Sequence, residues 1–188
     1  MLERLNWAYQ TKEALMGRNI ILTGFMGTGK SSVGQVLAER LSMNFYDTDI
    51  EIEKQYGPIE QIFHSLGESV FRGYEREIAH IVSEFTNTVI ATGGGFMVDQ
   101  ENADLLSSSG RVFCLTASIE EILERLTDQS EVAARPLLHS EDSVAAISAL
   151  LVERKGVYGE FEQVKTDGKT LEEVAGEISS RLVKSELS

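Results

Sequence analysis

Basic residues are scarce in this chain. Thirty aspartates and glutamates outnumber 17 lysines and arginines, a formal net charge of −13 over 188 residues, and the pI is about 4.7. Such a surface repels nucleic acid and anionic membranes, so neither is an expected partner. A local cluster of cations would stand out against it. Cysteine is nearly absent: Cys114, in the apolar stretch VFCL, is the single thiol. No intrachain disulfide can form, a reducing compartment is the simplest setting, and a thiol among apolar neighbours reads as buried and inert. No apolar run approaches membrane-span length. The N-terminal stretch MLERLNWAYQTKEALMGRN lacks the apolar core of a secretory signal, and Glu3 and Glu13 are unlike a transit peptide. The expected location is the cytoplasm. His64, His80 and His139 show no metal-binding spacing, and the chain has no repeats or low-complexity linkers.

What remains is an ordinary soluble composition, 42% apolar and 25% charged, of a length that fits one domain with a sizeable core. Residues 1–18 form an N-terminal extension in which Leu2, Leu5 and Tyr9 have helical spacing; 19–188 is the domain proper. NIILTG predicts a buried strand. SSVGQVLAERL predicts a helix, with Val33, Val36, Leu37 and Leu41 on one face. MNFYDTD predicts a second strand ending in two aspartates, and IEIEKQYGPIEQIFHSLG two short helices broken at Gly57-Pro58. ESVFRGYEREIAHIVSEF predicts a longer helix whose apolar stripe is Val70, Tyr74, Ile78, Ile81 and Phe85. TVIATGGG and RVFCLTA are strands, and SIEEILERL opens a helix with Ser118 and Glu121 as a capping box. TDQSEVAARPLLHSED is polar and irregular. SVAAISALLVERKGVYGEF predicts a helix, QVKTDG a fifth strand and TLEEVAGEISSRLV a closing helix. Strands alternating with helices imply a three-layer α/β/α domain on a parallel sheet, with ligands at the carboxyl ends of the strands.

GFMGTGKSS, from Gly24 to Ser32, lies between the first strand and its helix. Gly24-x4-Gly29-Lys30-Ser31 is the phosphate-loop pattern, here in the required strand–loop–helix setting. Its glycines let successive N–H groups turn toward phosphate oxygens, and the helix adds partial positive charge. Gly27, Thr28, Gly29, Lys30, Ser31 and Ser32 are the expected nucleotide contacts, Lys30 on the β- and γ-phosphates and the Ser31 hydroxyl on Mg²⁺. The loop alone does not choose among switch GTPases, ATPases and small-molecule kinases. Asp47 and Asp49 are a solvated turn or, opposite a phosphate loop, a pair that holds Mg²⁺ through water and accepts a proton from an attacking hydroxyl. Glu68, Arg72 and Glu75 share a helix face opposite the apolar stripe. That face is either an exposed salt-bridge ladder or an arginine held by Glu75 and aimed at a substrate carboxylate. Gly93, Gly94 and Gly95 are either a simple loop or backbone lying against a ligand, and no acidic residue ends their strand. Arg135, in ARPLL, lies where a lid would close over phosphates.

Together these stretches resemble the shikimate kinase family, in the nucleoside-monophosphate-kinase-like branch of phosphate-loop proteins. The resemblance spans residues 19–183: GFMGTGKSSVG, FYDTDIEIE, IFHSLGESVFRGYE, ATGGG, ARPLL and ERKGVY stand in the family's order and spacing. It implies transfer of phosphate from ATP, with Mg²⁺, to shikimate, giving ADP and shikimate 3-phosphate. Asp49 would bind the substrate hydroxyls and activate the one attacked, and Asp47 would serve Mg²⁺ through water. Arg72 and Arg154 would grip the carboxylate, Gly93 to Gly95 would line the substrate, Arg135 would be the lid arginine and Arg125 would flank the adenine. The resemblance also implies a substrate region over 47–75, a lid over 127–140, strand order 2-3-1-4-5 and a monomer. Pro58, a KGVY without the family's proline, YGEF and the length of the lid depart from the pattern. A kinase for another hydroxy acid such as gluconate shares the mechanism, but the DTD, GESVFR and GGG stretches speak against it. A guanine-specific switch would need N-K-x-D, which the chain lacks. An inactive relative would lack chemical side chains that are all present here.

Overall fold

In the computed structural model, which describes residues 17–128 and 143–186, every residue of strand β1 (Asn19–Gly24) is buried. The expected N-terminal helix and lid residues 129–140, Arg135 among them, lie outside the described residues. Ile20, Ile21 and Leu22 are wholly buried. A strand covered on both faces carries such an unbroken apolar run, as central parallel strands do. Ile20 and Leu22 belong to one core cluster and Ile21 to another, following the two-residue pleat. β1 is the middle of five parallel strands in the order β2-β3-β1-β4-β5. The others are β2 (Asn44–Asp47), β3 (Thr88–Ala91), β4 (Gly110–Thr116) and β5 (Glu162–Lys165). The α/β/α architecture and strand order are those expected. Asn19 ties the buried start of β1 to β3: its Nδ2 donates to Phe85 O at 2.6 Å and its Oδ1 accepts from Thr88 N–H at 3.1 Å.

The helices are α1 (Lys30–Leu41), α2 (Thr48–Tyr56), α3 (Ile59–Leu66), α4 (Glu68–Ser83), α5 (Gln100–Ser109), α6 (Ile119–Asp128), α7 (Ser143–Gly159) and α8 (Leu171–Glu186). Val33 and Leu37 of α1 and Val174 and Ile178 of α8 pack with Ile20, Leu22 and Phe113 on one side of the sheet. Ile52, Ile62, Phe71, Ile78 and Leu106, from α2 to α5, pack with Ile21 and Ile90 on the other. Each such side chain contributes about 1.5–3 kcal/mol through its burial. A third cluster joins Phe25, Cys114, Ile122, Leu126, Ile147 and Tyr158 beneath the loop that follows β1. Burial pushes the Cys114 thiol up to about 11, against smaller opposing effects of Gln163 and Lys30, so it is the inert core residue expected.

Three local expectations change. The second strand stops at Asp47, whose Oδ1 accepts from the N–H groups of Asp49 (3.0 Å) and Ile50 (3.2 Å). Asp47 is thus the N-cap of α2, and Asp49 lies in the first helical turn rather than on the strand. Aspartate favours a cap because its oxygen satisfies N–H groups that the helix leaves open. On α4, Val70 and Ile81 are 37% and 47% exposed, while Phe71, Ile78, Ala79 and Val82 are buried along with Glu75. The inner face is therefore rotated from the expected stripe, because it carries a glutamate that an apolar pattern does not count. Residues 96–109, to which the sequence assigns no element, form a 3₁₀ turn (Phe96–Val98) and α5, capped by Asp99. The Ser118 Oγ accepts from Glu121 N–H at 3.3 Å as a capping box requires. The reciprocal bond is replaced, since Ser118 N–H donates to Asp167 Oδ1 at 2.7 Å.

From β1 the chain passes through α1 to β2, on the far side of β3; from β3 it passes to β4, across β1. The loops after β1 and β3 therefore part in opposite directions at the carboxyl ends of adjacent strands, the switch point where α/β sheets open a crevice. Gly24 closes β1 there with φ +131, and a Cβ at this position would lie 2.2 Å from Leu115 O on β4. Neither backbone can yield without breaking the β1–β4 ladder. Gly24→Ala is expected to lower the unfolding free energy by about 3 kcal/mol, from overpacking and backbone strain together. Urea denaturation checks this: the midpoint should fall at unchanged slope, and an unshifted midpoint would contradict it.

Candidate active site

The loop from Gly24 to Gly29 turns through three glycines at positive φ, Gly24, Gly27 and Gly29. Its turn is held from within, since Phe25 O accepts from Thr28 Oγ1 at 2.7 Å and from Lys30 Nζ at 2.9 Å. Lys30 is thus nine-tenths buried, its ammonium folded over the loop's own carbonyl. The α1 helix starts behind it with no side-chain cap and no acidic residue in its first turn. No carboxylate of the helix itself opposes its partial positive charge toward the loop, which suits an anion. Arg125, on α6, braces the loop from outside. Its Nη1 donates to Gly27 O (3.3 Å) and Thr166 Oγ1 (3.0 Å), and its Nη2 to Glu121 Oε1 (2.8 Å) and Thr166 O (3.1 Å). Arg125 therefore joins the phosphate loop to the turn that follows β5.

Ser31, exposed at the first turn of α1, donates its hydroxyl to Asp47 Oδ2 at 2.5 Å. Two hard oxygens side by side at the mouth of the loop suit Mg²⁺, which keeps several waters and takes few protein ligands. Among the described residues no group of three or more His, Cys, Asp or Glu could hold a metal ion. The donor set thus fits a cation shared with phosphates rather than an all-protein cage. Asp47 has two tasks, its Oδ1 capping α2 and its Oδ2 meeting Ser31.

The three glycines after β3 each abut a different functional side chain. An added Cβ would lie 2.4 Å from Asp49 Oδ1 at Gly93, 3.8 Å from Arg154 Nη1 at Gly94 and 2.7 Å from Arg72 Nη1 at Gly95. At Gly94 it would also lie 3.4 Å from Met26 N, so this loop touches the phosphate loop. Gly93 N–H donates to Thr48 Oγ1 at 2.9 Å, which binds the glycine loop to the start of α2. Arg72 is held on two sides: its Nη1 donates to Glu75 Oε2 at 2.7 Å and its Nη2 to Glu68 Oε1 at 2.8 Å. Burial opposes its charge, but Glu75 and Glu68 outweigh this and raise its pKa. Arg154, on α7, donates to Gly94 O at 3.0 Å and stands over the Phe25 ring, 5.9 Å from its centroid.

The structure therefore brings together Lys30, Ser31, Asp47, Asp49, Arg72, Gly93, Gly94, Gly95, Arg125 and Arg154, with Arg135 outside the described residues. Of the two readings open for the Glu68-Arg72-Glu75 face, the arginine held by Glu75 is the one found, but Glu75 is 1% exposed and lies on the inner side of the helix rather than opposite the apolar stripe. Sequence reasoning missed Tyr158, whose hydroxyl donates to Gly94 O at 2.5 Å. Its signal was available in the four-residue spacing from Arg154 on one helix. In a chain of net charge −13, Lys30, Arg72, Arg125 and Arg154 come from four separate segments to one crevice, where Arg72 is paired with Glu68 and Glu75 and Arg125 with Glu121.

A protein-family model described as shikimate kinase matches residues 26–183. The shikimate kinase of Geobacter metallireducens is 43% identical over 167 residues, covering 88% of this chain and 92% of the relative. The solved structure of shikimate kinase from Acinetobacter baumannii in complex with shikimate is similar with a TM-score of 0.87 at 32% identity. It covers 95% of this chain and 99% of the other. A gluconokinase from Sinorhizobium meliloti is similar with a TM-score of 0.61 at 20% identity, covering 92% and 97% of the two chains, a likeness of fold alone.

Glu75 has a measurable consequence. Burial raises its carboxyl from 4.5 to about 7, helped by the charge of Asp49 and opposed by Arg72 and Arg154. The folded protein keeps this proton while the unfolded chain releases it. The resulting stabilisation is complete below pH 4.5 and is lost as pH rises through 7. Unfolding free energy measured from pH 4 to 8 should decline less over that window in Glu75→Gln than in the parent protein. An equal or steeper decline in the variant would contradict the assignment.

Proposed function

The chain belongs to the shikimate kinase family, and from that premise we infer how its site performs the reaction. The protein is a small-molecule kinase that transfers the terminal phosphoryl group of ATP to shikimate. The observation that supports the residue assignment is the convergence of Asp49, Arg154 and Arg72 on three successive glycines beside the phosphate loop. In this reading the N–H groups of Gly27 to Ser32 receive the ATP phosphates. Lys30 exchanges Phe25 O for their β- and γ-oxygens. Ser31 and Asp47 would hold Mg²⁺, which when bound would supply positive charge against the phosphates. Arg125 and the neighbouring Thr166 turn border the adenine.

Arg72 and Arg154 grip the shikimate carboxylate, the planar forks of both matching its two oxygens. Their hold turns the 3-hydroxyl toward Asp49. Asp49 takes the hydroxyl proton as the oxygen bonds to the γ-phosphorus and the bond to the β-phosphate oxygen breaks, leaving ADP and shikimate 3-phosphate. Placement and charge supply most of the acceleration, since phosphoryl transfer needs little covalent help from protein. Arg135 acts from a lid over 127–140 within a kinase domain over 19–188, working as a cytoplasmic monomer. Among the described residues no helix is long and apolar enough to cross a membrane.

A coupled ADP-release assay tests the substrate. Shikimate should give rapid ADP release with ATP and Mg²⁺, and gluconate or other hydroxy acids only background. Turnover of gluconate without shikimate would overturn the reading. The two aspartates separate in a Mg²⁺ titration at saturating ATP and shikimate. Asp49→Asn should lower kcat by about 10²–10⁴-fold at every Mg²⁺ concentration, because the proton acceptor is gone. Asp47→Asn should instead need more Mg²⁺ for half its maximal rate. Rescue of Asp49→Asn by extra Mg²⁺ would mean that the roles are exchanged.

A further inference from the structure

Arg154 and Tyr158 stand one turn apart on the same face of α7, and both reach one carbonyl. Gly94 O accepts from Arg154 Nη1 at 3.0 Å and from Tyr158 OH at 2.5 Å. We propose that Tyr158 is a positioning residue for the carboxylate site: its hydroxyl holds the Gly94 peptide and so sets how Arg154 is presented to shikimate. This rests on the assignment of Arg154 to the carboxylate made above. A carbonyl oxygen has two lone pairs, and these two donors fill them from one helix. The Gly94 backbone is not held by crowding, since a Cβ there would make only ordinary contacts, 3.4 Å to Met26 N and 3.8 Å to Arg154 Nη1, so these two hydrogen bonds are what fix its carbonyl. The Tyr158 ring is anchored among Phe25, Ile122 and Ile147 and is only 7% exposed. Burial raises its pKa, with Arg154 opposing, so the hydroxyl stays a donor at neutral pH. Packing alone would require the ring but not the hydroxyl. Without that hydroxyl, Arg154 is left to hold the carbonyl and is divided between it and the substrate carboxylate.

Tyr158→Phe keeps the ring and removes the donor. The KM for shikimate should rise about five- to tenfold, with the KM for ATP and the melting temperature nearly unchanged. In an Arg154→Ala background the same substitution should alter the shikimate KM less than about twofold, since coupled neighbours are non-additive. An unchanged shikimate KM in Tyr158→Phe overturns the proposal. So does an equal rise in both backgrounds, or a parallel rise in both KM values with a lowered melting temperature, the marks of a purely structural tyrosine. Arg154→Ala with an unaltered shikimate KM would remove the carboxylate assignment itself and this inference with it. Arg154→Ala with a raised KM beside an unaffected Tyr158→Phe removes this inference alone.

Discussion

The site depends on the absence of side chains at Gly93 and Gly95. Any Cβ at Gly93 or Gly95 would fall within 2.4 Å of Asp49 or 2.7 Å of Arg72, closer than carbon and oxygen or nitrogen can approach. The bare backbone leaves room for the Asp49 carboxylate of α2 and the Arg72 guanidinium of α4 where they now stand, and a side chain at either glycine would push one of them aside. The same loop runs beside the phosphate loop, a Cβ at Gly94 lying at ordinary contact distance, 3.4 Å, from Met26 N. The sheet order puts both loops at the crevice. β1 and β3 are neighbours whose following loops diverge, and the site's groups come from those two loops, from the end of β2 at Asp47 and from the helices packed around them.

The protein is acidic overall, yet its cations near the crevice are individually fixed by carboxylates or carbonyls. Arg72 leans on Glu75 and Glu68, Arg154 on Gly94 O and Arg125 on Glu121 and Thr166. Ordering these long side chains in advance removes part of the conformational entropy that substrate binding would otherwise cost. Glu75 carries the burden of this arrangement. Buried beside Arg72 but also near Asp49, it is pushed toward neutrality, so the pair is less strongly ionic than its geometry suggests. Asp47 shows the complementary economy, capping α2 with one oxygen while the other meets Ser31.

Much of this was legible in the residues alone. The apolar run NIILTG, the phosphate-loop spacing and the alternation of strands and helices determined an α/β domain with a nucleotide loop after its first strand. Those signals are local, written in contiguous residues by pleat, helical period and glycine placement. DTD, GGG and the Glu68-Arg72-Glu75 face were visible as stretches but ambiguous as chemistry, and the family resemblance, not their spacing, chose among their meanings. Tertiary structure decided the rest. Glu75 is buried because α4 packs that face toward the Gly93 loop, near Asp49 and Arg154 from two other helices. Tyr158 and Gly94 are 64 residues apart, and a hydrogen bond between them leaves no periodic mark on either segment. Sequence records what each segment prefers along its own axis. Which side chains share a point in space depends on how five strands are ordered, and that order is set by packing between residues far apart in the chain.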